Sequence, residues 1–519
     1  MSLTEALAPG PSSSIALPPR RGARWIVGLA LGVRLALFPF ADNKQGDAPM
    51  RALIAERLNS EPGAAADPRT YCQFGPLHTT LMRPFLALDG DGRRASRLLS
   101  LLAGMLTFVP FLRLGRRLVG APAAEVAAFA LAVSPLHIQL STTAASEALY
   151  LLLVTAALER LLAGIDDQGT LGGILVAGAL ASLAAVTRYD AWLMWPAVAV
   201  AAAMVAPAAR RRAVLARLAV FLALAALLPL GWMIWSGAAA GDPIFFAHYI
   251  SDDHARLGGA AAARYGAAVA RARQIGIWIL AFAAAMTPPL LWGAARALAS
   301  WRALAPAAIV VVVAALAPPL GYLADGLITL RFEPLARFAL LPGALLLPLA
   351  ARQLLAAVDL SRARRWIAAS ALAGGAAVLL VAWTGRPRIW SGAESLGPLT
   401  RLDAEDRRLA ALLRDQRRPD ESIMIDPVAL SFTDIAITHA SGTPAARSVT
   451  LVQTRQPGRS VADTLAVTGA RWLAAHDGSW APRLAGDWPA SALRIGGWRV
   501  VHAAAPDPAA GPGAVSHAR

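Results

Sequence analysis

The sequence predicts a mainly α-helical, polytopic membrane protein with a small C-terminal α/β domain. Three observations predict it. Of 519 residues, 56% are hydrophobic and only 16% are charged, against about 25% charged in an average soluble domain. Mean hydropathy is +0.50. Many apolar runs approach the length needed to cross about 30 Å of hydrocarbon at about 1.5 Å per helical residue.

Eleven spans are expected, at 24–41, 95–114, 122–138, 146–164, 171–187, 191–208, 214–236, 275–294, 306–324, 338–356 and 366–384. Residues 1–22 are expected to be a disordered cytoplasmic tail, and the first span an uncleaved signal anchor. A long loop, 42–94, follows and is expected to carry amphipathic helices. Residues 385–503 alternate helical and strand-like patterns: a helix over 402–416, strands at 422–426 and 448–452, a mixed segment 464–476 and a last strand at 498–503. That alternation predicts a small α/β domain. Residues 504–519 read as a disordered end.

A formal charge of +16 raises the question of a nucleic-acid partner, and the placement of the arginines argues against one. Arg20, Arg21 and Arg24, Arg113, Arg116 and Arg117, Arg210 to Arg212, Arg296 and Arg302, and Arg362, Arg364 and Arg365 sit at alternate span ends. This is positive-inside patterning, whereas a nucleic-acid footprint is one continuous patch. It predicts a multi-pass membrane protein, and the odd span count puts residues 385–503 on the non-cytoplasmic side. The single cysteine, Cys72, excludes an intramolecular disulfide and a Cys-rich metal site. There is no phosphate-binding GxxxxGK[ST], no HExxH or GxSxG, and no Rossmann glycine pattern after a strand.

Ionisable residues gather instead at the non-cytoplasmic face. Asp42, Lys44 and Asp47 follow the first span, and Lys44 is the only lysine in the chain. Arg97 opens the second span, and His137 and Glu147 flank the turn between the third and fourth. Arg188, Tyr189 and Asp190 lie between the fifth and sixth, and Arg331, Glu333 and Arg337 precede the tenth. Ionisable groups near hydrocarbon are costly and mark a pathway or a site. His78, His137, His248 and His254 form no ligand-spaced set, so no metal is indicated, although a divalent ion is compatible with the carboxylates. Trp232 and Trp235 are assigned to the interfacial aromatic belt.

The pieces GDAPMRALIAERL (46–58), FGPLHTTLMRPFLAL (74–88), ASRLLSLLAGMLTFVPFLRLGRRLVG (95–120) and SPLHIQLSTTAASEALYLLL (134–153) together resemble the GT-C membrane glycosyltransferases. TRYDAWLMWP (187–196) and PLARFALLPGALLLPLA (334–350) also fit. The resemblance is strongest to the branch holding protein O-mannosyltransferases, aminoarabinose lipid A transferases and RgtA/B/C/D-like enzymes. It implies transfer of a sugar from a polyprenyl-phosphate carrier to a glycan, lipid or protein acceptor at the external face of the bilayer, with inversion.

Asp47 is similar to the catalytic carboxylate of that family, and Arg337 to a phosphate-binding arginine. Asp47 also fits a helix cap ahead of Pro49. Arg188, Arg331 and Arg337 suit a bidentate hold on phosphate oxygens, or salt bridges of Arg188 with Asp190 and of Arg337 with Glu333. Lys44 suits a phosphate or sugar; Asp42, Glu147, Asp190, Arg97, His78 and Glu333 are candidate substrate or supporting residues. Many relatives carry two adjacent acidic residues at the start of the loop, whereas here Ala48 follows Asp47. The alternative class is a transporter or flippase of lipid-linked intermediates, which predicts inverted repeats and charges spread through the span depth; neither is read. A third is a non-catalytic scaffold.

Overall fold

A computed structural model describes residues 21–39, 41, 47–89, 92–166, 169–251, 262–263, 265–330, 335–383, 402, 404–426, 433–449, 460–477 and 488–503. Asp42, Lys44, Arg331, Glu333, His254 and the tails 1–20 and 504–519 lie outside the described residues. The chain divides into two compact units, Met1–Asn43 with Pro62–Thr400, and Lys44–Glu61 with Arg401–Arg519.

The helices run α1 (Arg21–Leu37), α2 (Asp47–Ser60), α3 (Pro76–Asp89), α4 (Gly92–Leu106), α5 (Phe108–Val119), α6 (Ala121–Val133), α7 (Pro135–Leu140), α8 (Glu147–Ile165) and α9 (Leu171–Ala185). They continue as α10 (Asp190–Val205), α11 (Arg211–Ala240), α12 (Ala267–Met286), α13 (Pro288–Ala299), α14 (Pro306–Thr329), α15 (Leu340–Ala357) and α16 (Leu360–Trp383). All of these except α2 belong to the first unit. Among the described residues six helices are long and apolar enough to cross a membrane, and three shorter apolar helices accompany them.

The expected span 95–114 is divided into α4 and α5 at Thr107, which keeps helical dihedrals, and two others are broken at residues outside the helical conformation. The run 122–138 is cut at Ser134 into α6 and α7, and 275–294 is cut at Thr287, whose φ is +68°, into α12 and α13. A proline follows each break, and proline disfavours the helical conformation of the residue before it and lacks the N–H a continuing ladder needs. Ser134 turns the break into a joint: its hydroxyl donates to the Ala285 carbonyl at 3.1 Å, tying α7 to the end of α12.

Among the six long apolar helices α8 and α15 are the most buried, whereas α11 turns Leu227 and Ile234 outward. Outward apolar side chains are what a hydrocarbon solvent calls for. Close crossings rest on small residues: a side chain at Gly293 would strike the Ala350 carbonyl of α15, and one at Gly178 would strike Leu224 of α11. Arg117 meets Asp166 and Arg217 donates to the Gly164 carbonyl at 2.8 Å, both at the end of α8, and Arg364 stacks on Trp25.

The second unit contains a five-stranded mixed sheet in the order β2-β1-β3-β5-β4: β1 (Ile423–Asp426), β2 (Ser448–Val449), β3 (Trp472–His476), β4 (Leu493–Ile495) and β5 (Trp498–His502). β1 pairs in parallel with both β2 and β3; β5 runs antiparallel to β3 and to β4. Its helices are α2, α17 (Ala404–Gln416), α18 (Thr433–Ala440) and α19 (Val461–Thr468). The mixed segment 464–476 resolves into the end of α19 and β3, separated at Gly469, whose φ of +64° supplies the left-handed helix stop that glycine adopts most readily. Leu409, Leu413, Ile423, Ile425, Trp498 and Val500 form the core. The indole N–H groups of Trp472 and Trp498 are satisfied by Glu421 at 2.8 Å and Asp406 at 3.1 Å. The pattern did not foretell α18 or β4.

Helix α2 departs from the amphipathic expectation. Ala48 through Ala55 and Leu58 are all buried, so the helix has no broad solvent face.

Candidate active site

The site lies in the first unit, where three helix starts converge. Glu147 opens α8, Asp190 opens α10, and Arg337 sits in the 3-10 turn Ala336–Ala339 that leads into α15. A carboxylate at a helix start is favoured by the unpaired N–H groups there. Arg188 occupies the tight turn between α9 and α10, which Thr187 secures by donating from its hydroxyl to the Leu183 carbonyl at 2.8 Å.

Arg188 Nη1 donates to Glu147 Oε1 at 2.6 Å, and Nε donates to Asp190 Oδ2 at 2.9 Å. Arg337 Nε approaches the same Glu147 oxygen at 3.7 Å. All four side chains are largely buried, at 6–13% exposure, so water screens them little. Phe338 packs against both guanidiniums, 5.5 Å from Arg188 and 5.4 Å from Arg337, and Tyr150 faces Arg188 at 5.9 Å. Tyr189 stacks on Phe246 at 4.4 Å and donates its hydroxyl to the Phe74 carbonyl at 3.2 Å. Two guanidiniums against two carboxylates, beside three helix starts, make a rigid charged floor able to meet an anionic group.

Several sequence candidates have different surroundings. Arg97 is buried with its donors on backbone: Nε on the Thr142 carbonyl at 2.9 Å, Nη1 on Ala41 at 2.7 Å and Nη2 on Phe38. It caps the end of α1. His78 is fully buried; Ser100 gives its hydroxyl proton to the Ala145 carbonyl at 2.7 Å, so His78 Nε2 donates to Ser100 Oγ at 3.4 Å. Both hold helix ends together in these contacts. Trp232 is 4% exposed and packs edge-on against Tyr71 and Trp235. Arg337 is paired here with Glu147, its expected partner Glu333 lying outside the described residues. Asp47 is the first residue of α2 and belongs to the second unit. Among the described residues no group of three or more His, Cys, Asp or Glu is placed to hold a metal.

Three residues escaped the sequence reading. Tyr150 and Phe338 carried a signal in their spacing, one helical turn from Glu147 and next to Arg337. Arg34 carried a stronger one, being an ionisable residue inside the first apolar run. It is fully buried and donates to Ser141 at 2.9 Å, to the Ala30 and Ala132 carbonyls at 3.0 Å each, and to His137 Nδ1 at 2.6 Å.

The long apolar helices mark a multi-pass membrane protein, and the buried ionic cluster is its candidate site. Residues 73–235 match the family model described as dolichyl-phosphate-mannose-protein mannosyltransferase. Among solved structures, ArnT from Cupriavidus metallidurans bound to undecaprenyl phosphate is similar at a TM-score of 0.59 and 16% identity, over 93% of this chain and 98% of that one. The oligosaccharyltransferase of Archaeoglobus fulgidus, in complex with Zn and sulfate, is similar at a TM-score of 0.52 and 14% identity, over 87% of this chain and 68% of that one. At these identities the likeness is one of fold. No curated protein sequence matches the chain.

Proposed function

We propose that this protein is a glycosyltransferase that moves a sugar from a polyprenyl-phosphate donor to an acceptor hydroxyl at the external, periplasmic face of a bacterial inner membrane. The observation that carries the reading is the buried cluster Glu147–Arg188–Asp190–Arg337 at one end of an apolar helical unit. An ionic cluster in such a place is expensive and is retained where an ionic substrate is handled. The match of residues 73–235 to the mannosyltransferase model and the fold likeness to ArnT support the same class.

The chemistry divides among named residues. Departure of the carrier phosphate leaves negative charge, which Arg337 and Arg188 stabilise. Glu147 and Asp190 orient the two guanidiniums and offset the cost of burying their charge. Asp47 takes the proton of the acceptor hydroxyl as that oxygen attacks the anomeric carbon from the side opposite the phosphate, which inverts configuration. Lys44 and Arg331 are further cations for the phosphate, with Asp42 and Glu333 near them in sequence.

The test is transfer by purified full-length protein in lipid nanodiscs supplied with an extract of lipid-linked sugars. Asp47→Asn is expected to lower turnover by about a thousandfold with donor binding retained. Arg337→Ala is expected to weaken donor binding. Full transfer by Asp47→Asn removes the base; an unchanged envelope glycan profile on deletion of the gene removes the enzyme.

A further inference from the structure

Helix α2 carries Asp47 at its first position, yet its partners within its own unit come from the far end of the chain. Two successive residues of opposite charge make the attachment. Glu56 presents its carboxylate to His439, whose Nε2 lies 3.1 Å from each oxygen. Arg57 Nη2 donates to the Ser448 carbonyl at 2.5 Å and to the Ala445 carbonyl at 3.3 Å, while its Nε stands 3.3 Å from Glu61 one turn on.

The receiving groups are complementary. His439 lies in the last turn of α18, and its side chain is only 6% exposed. Ala445 and Ser448 bracket the 3-10 turn that delivers the chain into β2, and β2 is fixed by its parallel pairing with β1. A donor faces the carboxylate and two acceptors face the guanidinium, so the helix is held in one register by contacts of opposite sense. A helix of 14 residues is marginal by itself. Its order therefore comes from what it packs on.

We propose that the C-terminal α/β domain is a positioning module for the base: through His439, Ala445 and Ser448 it holds Glu56 and Arg57, and so fixes α2 and the carboxylate at its start. The inference rests on the assignment of Asp47 under Proposed function and adds a role for residues 401–503. Glu56, Arg57 and His439 are positioning residues. They act on turnover through the placement of Asp47, two to three helical turns away along α2.

The experiment uses the full-length protein in nanodiscs and two readouts, hydrogen exchange of the α2 amides and steady-state transfer from the lipid-linked sugar extract. Glu56→Gln and His439→Gln are each expected to speed exchange across residues 50–60 by about tenfold and to lower kcat by a similar factor with KM for the donor unchanged. The double variant is expected to be no worse than either single one, because both remove the same contact. Arg57→Lys, which keeps the charge and loses the fork, is expected to be intermediate. Exchange in β1 and β3 is recorded in the same samples; should His439→Gln loosen the sheet, Glu56→Gln, which alters no residue of the sheet or of α18, decides.

Unchanged α2 exchange and unchanged kcat in Glu56→Gln overturn the proposal. So does additive loss in the double variant. These failures are distinct from failure of the enzyme reading: if Asp47→Asn abolishes transfer while Glu56→Gln is silent, only the positioning role falls. If Asp47→Asn transfers normally, the base falls and with it the role built upon it.

Discussion

Glu147 and Arg188 lie 41 residues apart in the chain and meet at 2.6 Å, the carboxylate at the first position of α8 and the guanidinium in the turn before α10. The pair shares its charges outward, Arg188 with Asp190 and Glu147 with Arg337. Removing one member therefore strands the others in a site nearly closed to water.

Arg188→Met is expected to destabilise the membrane unit by about 3–5 kcal/mol, since two buried carboxylates lose their shared cation. Arg188→Lys keeps the charge but loses the fork that reaches both partners, and is expected to recover part of that stability. Glu147→Gln lets Arg188 and Arg337 repel one another and is expected to lower transfer more than stability. Thermal unfolding in detergent beside donor-dependent turnover separates the two effects.

Gly75 belongs to the same geometry. A methyl group there would lie 2.8 Å from the Thr187 carbonyl oxygen and closer still to that of Val186, the two residues before Arg188. Backbone cannot yield as a flexible side chain does. Gly75→Ala is expected to shift the Arg188 turn, to cost about 1–3 kcal/mol, and to lower turnover while Arg188 itself is intact; unfolding and kinetics of that one variant check it.

Arg34 predicts a purely structural effect. Its guanidinium satisfies the Ala132 carbonyl beside the break at Ser134, along with Ser141 and His137 Nδ1. Arg34→Met leaves those acceptors buried without a donor, at about 1–3 kcal/mol each. The expected outcome is a lower unfolding temperature in detergent with near-normal turnover at a temperature where the variant is folded. Lost turnover at full stability would place Arg34 in the chemistry instead.

In the C-terminal domain, burial, reinforced by the nearby Asp426 carboxylate, pushes the Asp434 carboxyl up from 3.8 to about 7. An acid whose folded value is raised binds its proton more tightly in the folded state. Its contribution is complete below about pH 4 and is lost as the pH climbs to about 7. Asp434→Asn removes the cost of ionising there. Its stability advantage over the native chain should grow between about pH 4 and 7 and level off above, at on the order of 2–4 kcal/mol. Hydrogen exchange of the amides Ile435 to Thr438 across that pH range reads it, and a pH-independent difference would contradict it.

The sequence by itself determined the class of structure. A run of about twenty apolar residues has few options other than a helix in hydrocarbon, and alternating patterns beyond residue 400 carried the α/β domain. It also marked Glu147, Arg188, Asp190 and Arg337 as charges that needed a reason. Which proline would break a helix was decided only by tertiary structure. Pro196, Pro229 and Pro348 remain inside helices, whereas the chain breaks before Pro135, where a carbonyl beside the break finds its donor on Arg34, 98 residues earlier. The roles of Arg97 and His78 were likewise invisible, because a cation reads the same in sequence whether it meets a substrate or the Phe38 and Ala41 carbonyls. The partner of α2 lay nearly four hundred residues away; patterning reports which faces of a segment are apolar, and only the folded chain reports what covers them.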